Sequence, residues 1–216
     1  MGNFLAVSAV RDCSPQTVAA AIADYARRHG LDAAVLTADT AVNGQRAGVF
    51  APVDGWTTVL WPPYFNIHDI EAAIALSAAT QTLVSTMHVY DDQYWVHVLA
   101  RDGLVLDRFA SRPTYFEPTP QEAERLGTRY KGDPAITAAA LGVDADVLRP
   151  YFRHLTDDGP NGRAFPDDEF DLDNTWVLAD VWRRMGITYP EPVSAVAVAV
   201  DLGSGWDSRL PVTDEL

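Results

Sequence analysis

The most regular pattern in the chain lies between Leu83 and Phe116, LVSTMHVYDDQYWVHVLARDGLVLDRFASRPTYF. Apolar runs rich in Val, Leu, Tyr and Trp are broken by Asp91-Asp92 and by Asp102-Gly103, which predicts strands at Leu83–Tyr90, Tyr94–Arg101 and Leu104–Ala110. Asp-Gly between apolar runs is a strong hairpin signal, because a type I′ turn needs positive φ at both central residues. A three-residue turn over Asp91–Gln93 sets Tyr90 opposite Tyr94 and His88 opposite Val96, so that His88 and His97 point to opposite faces.

The remaining elements follow from period and punctuation. Phe4–Val10 reads as a strand. Ser14-Pro15 then opens a helix whose Val18, Ile22 and Tyr25 share a face, with Arg27, Arg28 and His29 at its carbonyl end. Leu31–Ala38 and Ala47–Pro52 are predicted strands on either side of a turn centred on Asn43-Gly44. Trp56–Trp61 is a strand stopped by Pro62-Pro63, and His68–Thr80 a helix carrying Ile70, Ile74 and Leu76, with Ile67 just ahead. Beyond Phe116, Thr119 and Glu122 form a capping-box pattern for a helix to Tyr130. Asp133-Pro134 starts a second helix ending at Leu141, and Asp144 a third through His154. Thr156–Asp173 reads as a polar loop, Asn174–Met185 as an amphipathic helix, Ser194–Leu202 as a last strand, and the final Asp-Glu-Leu as a frayed tail.

The order strand–helix–strands, met twice, predicts an α+β fold. In it an antiparallel-rich sheet built from two βαβ-like units carries helices on one face, followed by a helical segment and a final strand. The division is a sheet core over 1–116 and an added segment over 117–216 packed on that core. A chain of 216 residues is long enough to fold on its hydrophobic core alone.

Charge narrows the functional classes. The formal net charge is −14, which disfavours nucleic acid and anionic lipid and favours a basic protein partner reached by electrostatic steering. The single cysteine, Cys13, excludes an intrachain disulfide and a CxxC site, and fits a cytoplasmic protein. No stretch reaches the ~18 apolar residues of a membrane helix, and the start lacks a signal-peptide n-region. Fifteen arginines against one lysine, Lys131, together with abundant Ala and Asp, suggest a GC-rich bacterial genome.

No phosphate-binding loop, nucleophile elbow or zinc signature is present, and no cofactor is expected. Cys13, ahead of a helix, is either a thiol with a lowered pKa or an apolar staple against Val18; Asp12 beside it favours the second. Asp167, Glu169, Asp171 and Asp173 alternate as in a Ca²⁺ loop but lack its Gly and terminal Glu, and read as a solvated acidic loop. Asp107-Arg108-Phe109 and Ser111-Arg112-Pro113 form the densest polar cluster beside aromatics. It is either a recognition edge, in which Trp95, His97, Asp107, Arg108, Arg112 and Tyr115 bind a partner, or an ion-paired exit from the sheet. With the Asp-Gly turn in register, His97 faces Arg108, which would lower the His97 pKa.

Four segments, MGNF, YWVHVLARDGLVLDRFASRPTYF, DPAITAAALGVDADVLRPYF and LDNTWVLADVWRRMGITYP, resemble an uncharacterised bacterial protein family. The resemblance implies a shared fold and transfers no catalytic residue, since that family has no assigned activity. In size and acidity the chain also resembles polymorphic-toxin immunity proteins. The expectation is therefore a non-enzymatic, immunity- or antitoxin-like protein. The alternative is a hydrolase with His97 or His88 as base near Asp107.

Overall fold

The structure is a computed structural model that describes residues 3–37, 44–116, 119–155 and 161–213. The expected turn at Asn43 and the acidic tail lie outside the described residues, as does part of the expected loop after Thr156. One sheet of eight strands organises the chain: β1 (Leu5–Arg11), β2 (Ala34–Leu36), β3 (Arg46–Phe50), β4 (Trp56–Leu60), β5 (Leu83–Tyr90), β6 (Tyr94–Arg101), β7 (Leu104–Ala110) and β8 (Val196–Asp201). Its order is β2-β8-β3-β4-β1-β5-β6-β7, and every neighbouring pair is antiparallel.

The fold is α+β. Helices α1 (Pro15–Arg28) and α2 (Asp69–Thr80) lie on the same face, as the sequence predicts. The two βαβ-like units are split, because alternation of direction makes β1 parallel to β2 across three intervening strands, and β4 parallel to β5 across β1. Ser14 caps α1 by accepting from the Thr17 N–H, and Val18, Ile22 and Tyr25 bury its inner face. Cys13, partly buried, packs on this core, and burial, with the charge of Asp12, pushes its thiol pKa up.

The opposite face is covered by the second half of the chain. α3 (Pro120–Arg129) extends the cover on the α1/α2 side through Leu126, and carries the predicted capping box between Thr119 and Glu122. α4 (Pro134–Leu141) and α5 (Val177–Arg184) press Leu141, Val177, Val181 and Trp182 onto Met87, Trp95 and Leu99 from the other side. Covering on both faces explains why seven of the eight residues in each of β5 and β6 are buried, where a one-sided antiparallel sheet would alternate. A last short helix, α6 (Trp206–Arg209), was not signalled by any pattern.

Two helical expectations change. The helix expected over Asp144–His154 is a 3-10 turn at Ala145–Val147 followed by irregular turns. Pro150 lacks an N–H and disfavours helical backbone at Arg149. The amphipathic helix begins at Val177, after a turn in which Asn174 Oδ1 accepts from the Trp176 N–H at 2.8 Å.

The β5–β6 register is Tyr90 opposite Tyr94 and His88 opposite Val96, as the turn predicts. The turn between β6 and β7 has φ +53° at Asp102 and +80° at Gly103, the positive pair that a type I′ turn demands. The register then shifts at Leu99/Ala100, with Ala100 opposite Val105 but Leu99 opposite Asp107. That bulge corrects an expectation: His97 faces Phe109, and Arg108 faces Val98.

Candidate functional site

A buried chain of hydrogen bonds crosses the centre of the sheet. Trp61 Nε1 donates to Ser8 Oγ at 2.8 Å, and Ser8 Oγ lies 2.9 Å from Thr86 Oγ1, its partner in the β1–β5 register. The Thr86 hydroxyl is 3.1 Å from Asp69 Oδ2, and His88 Nδ1 donates to Asp69 Oδ1 at 2.9 Å. Asp69 is the first residue of α2, where the partial positive charge of the helix start favours a carboxylate. With the Asp69 carboxylate as acceptor, His88 Nδ1 carries a hydrogen, and its ring stands edge-on to Tyr94 with ring centroids 6.5 Å apart. Every member of the chain is buried, so its evident work is to lock α2 onto β1 and β5.

The residues singled out from sequence do not share one surface. Trp95 is buried against Phe109, ring centroids 4.9 Å apart, and a partner docking on the folded surface does not reach it. His97 is fully buried. Its Nε2 lies 3.0 Å from Ser85 Oγ, which also accepts from Trp182 Nε1, and burial alone pushes its pKa down to about 3. Asp107 accepts from the Asp133 N–H and the Thr137 hydroxyl, both at 2.9 Å, and so ties the start of α4 to β7; burial raises its pKa. His97 and Asp107 thus serve different partners and no hydrogen bond joins them. Arg108 borders a shallow hollow with Arg129 and Lys131, Arg112 follows Ser111 at the exit from β7, and Tyr115 packs among Tyr90, Tyr94 and Phe116.

The acidic loop is where charge and shape coincide. Asp168, with a fully buried side chain, accepts from the Tyr151 hydroxyl at 2.6 Å, from the Phe165 N–H, and from Arg183 and Arg184 at 3.0 and 2.7 Å. Asp167 pairs with the same two guanidinium groups, which hold its carboxyl pKa down at about 2. Asp180, buried on α5, accepts from the N–H groups of Glu169 and Phe170. These bonds pin the loop to the last turn of α5.

Beside them opens a cavity of about 650 Å³ bordered by Asp54, Asp167, Glu169, Asp180, Arg183 and Glu191, with Phe170, Ile187 and Tyr189 as apolar walls. Asp54, Glu169 and Glu191 are exposed and make no ion pair with the described residues. Trp176, 39% exposed, stands edge-on to Tyr189 with ring centroids 5.7 Å apart.

Sequence reading marked Asp167 and Glu169 through their alternation but missed Asp54 and Glu191, which arrive from distant turns and carry no local signal. Among the described residues no group of three or more His, Cys, Asp or Glu side chains is placed to hold a metal ion, and no helix is long and apolar enough to cross a membrane. No family model, curated protein or solved structure matches the chain.

Proposed function

We propose that this protein binds a basic protein partner, with the acidic cavity beside α5 as the centre of contact. The observation that carries the reading is the gathering of three exposed carboxylates, Asp54, Glu169 and Glu191, unpaired among the described residues, around one concavity with aromatic walls. Carboxylates left without cations on a chain at −14 make a negative focus that steers a positive surface to this face. Arginine or lysine side chains of the partner enter the cavity, their stems against Phe170 and Tyr189 and their charged heads against the carboxylates. Trp176 supplies the large aromatic contact that interface hot spots favour. A basic toxin neutralised by an immunity-type protein is the concrete form of this reading.

The test is capture from a native lysate by the wild-type protein and by an Asp54→Asn/Glu169→Gln/Glu191→Gln variant, at low and high salt. A basic protein retained by the wild type, released by salt and absent from the variant supports the reading. Equal retention by both proteins refutes it.

A further inference from the structure

A second cavity of about 650 Å³ lies remote in sequence from the acidic loop, between the segment following β4 and α6. Pro63, Tyr64, Ile67, His68, Trp206 and Asp207 border it. Trp206 is fixed from both sides. Its Nε1 donates to the Gly44 carbonyl at 2.8 Å, and its ring packs against Phe65 at 5.2 Å and edge-on to His68 at 5.4 Å. Tyr64 borders the cavity with 57% of its surface exposed and with φ +66°, ψ +16°. A bulky side chain in the left-handed region carries backbone strain, and such strain concentrates at sites that bind or react. One side of the Tyr64 ring packs on Phe4, with ring centroids 5.0 Å apart.

Gln45 and the Tyr64 hydroxyl at the cavity can donate or accept, and its remaining ionisable side chains are His68 and Asp207. His68, 1% exposed, donates from Nδ1 to the Pro211 carbonyl at 2.9 Å, which leaves the lone pair of the neutral ring on Nε2. Burial lowers the His68 pKa and keeps the ring neutral near pH 7, although Asp69 and Asp207 push the other way. Asp207 is exposed, makes no hydrogen bond or ion pair with the described residues, and lies close enough for its charge to be felt at His68. Two acceptors, one of them anionic, beside aromatic and apolar walls select a ligand that brings N–H donors and positive charge on an apolar body.

We propose that this cavity is a binding site for a small aromatic amine, with the ammonium on Asp207 and His68 and the ring between Tyr64 and Trp206. The inference does not rest on the acidic cavity or on a protein partner.

The test is titration of the full chain with phenethylamine, and with phenylacetate as the anionic counterpart, followed by ¹H–¹⁵N NMR including the tryptophan indoles. The expected result is saturable shifts at the Trp206 indole and around His68 with phenethylamine alone. Asp207→Asn, an exposed substitution, weakens binding about tenfold or more, as loss of a charge-assisted hydrogen bond does. Tyr64→Gly removes the wall while relieving the backbone, and weakens binding in a protein that still folds. The Glu169→Gln protein binds as the wild type does. Absence of saturable shifts at Trp206, equal response to phenylacetate, shifts centred on the acidic cavity instead, or unchanged affinity in Asp207→Asn would each overturn the proposal.

Discussion

His88 Nδ1 lies 2.9 Å from Asp69 Oδ1, with both side chains all but sealed from solvent. This contact joins the end of β5 to the first residue of α2, and through Thr86 it reaches β1. Burying an acid beside a histidine is costly, and the cost is offset only while both are present. Asp69→Leu should therefore destabilise the protein by about 3–5 kcal/mol in urea unfolding. Asp69→Leu/His88→Leu should lose less than the single variant, because no polar partner is then stranded. A double variant worse than the single would remove the pair from its structural role.

His97 gives a pH signature. Its folded pKa of about 3 lies below the unfolded value of 6.5, so below pH 6.5 the unfolded chain takes up a proton that the folded one refuses. The stability this represents is complete above pH 6.5 and is lost as pH falls toward 3, at up to about 1.4 kcal/mol per pH unit. Unfolding measured at pH 7 and pH 5 should show that loss in the wild type and a smaller one in His97→Leu. The His97 ring protons should not titrate between those pH values by NMR.

Gly132 sits at φ +69° under two aromatic rings, and a Cβ there would come within 2.6 Å of Phe152 Cδ1 and 2.9 Å of Phe109 Cβ. Gly132→Ala combines backbone strain with overpacking and should cost about 2–4 kcal/mol, read as a lowered urea midpoint with an unchanged m-value. Gly142→Ala, at φ +79° with no atom within 4 Å, isolates the backbone part and should cost about 1 kcal/mol.

How much of this was legible in the sequence follows from the range of each interaction. The hairpins of β5, β6 and β7 were readable to the residue, because the Asp-rich and Asp-Gly turns set their register locally. The bulge at Leu99/Ala100 was not, since no turn residue marks it, and one slipped position moved Arg108 to the face opposite His97. The insertion of β8 between β2 and β3 pairs residues that lie more than half the chain apart, which no periodicity reveals. The same is true of the candidate sites. Asp167 and Glu169 were visible as an alternating run, whereas Glu191 and Asp54 join them only through the fold. Trp95 and His97 looked like edge residues until α4 and α5 covered the second face.

The acidic cavity makes a stability prediction of its own. Asp54, Glu169 and Glu191 hold no ion-pair partner among the described residues, so neutralising all three should leave thermal unfolding at or slightly above the wild-type midpoint. Asp168→Ala should instead strand two arginines and a tyrosine and lower stability by about 3 kcal/mol or more, measured by the same unfolding.

The most direct test of the binding reading is calorimetric titration with a short arginine-rich peptide of three proteins: the wild type, Asp54→Asn/Glu169→Gln/Glu191→Gln, and a control neutralised at Asp32, Asp102 and Glu124. Both variants lose the same three of thirty acidic residues, so general attraction to an acidic protein weakens equally in the two. A specific site predicts one saturable binding event in the wild type and the control, weakened about tenfold or more in the cavity variant and by salt in all. Equal affinity in both variants would contradict the account.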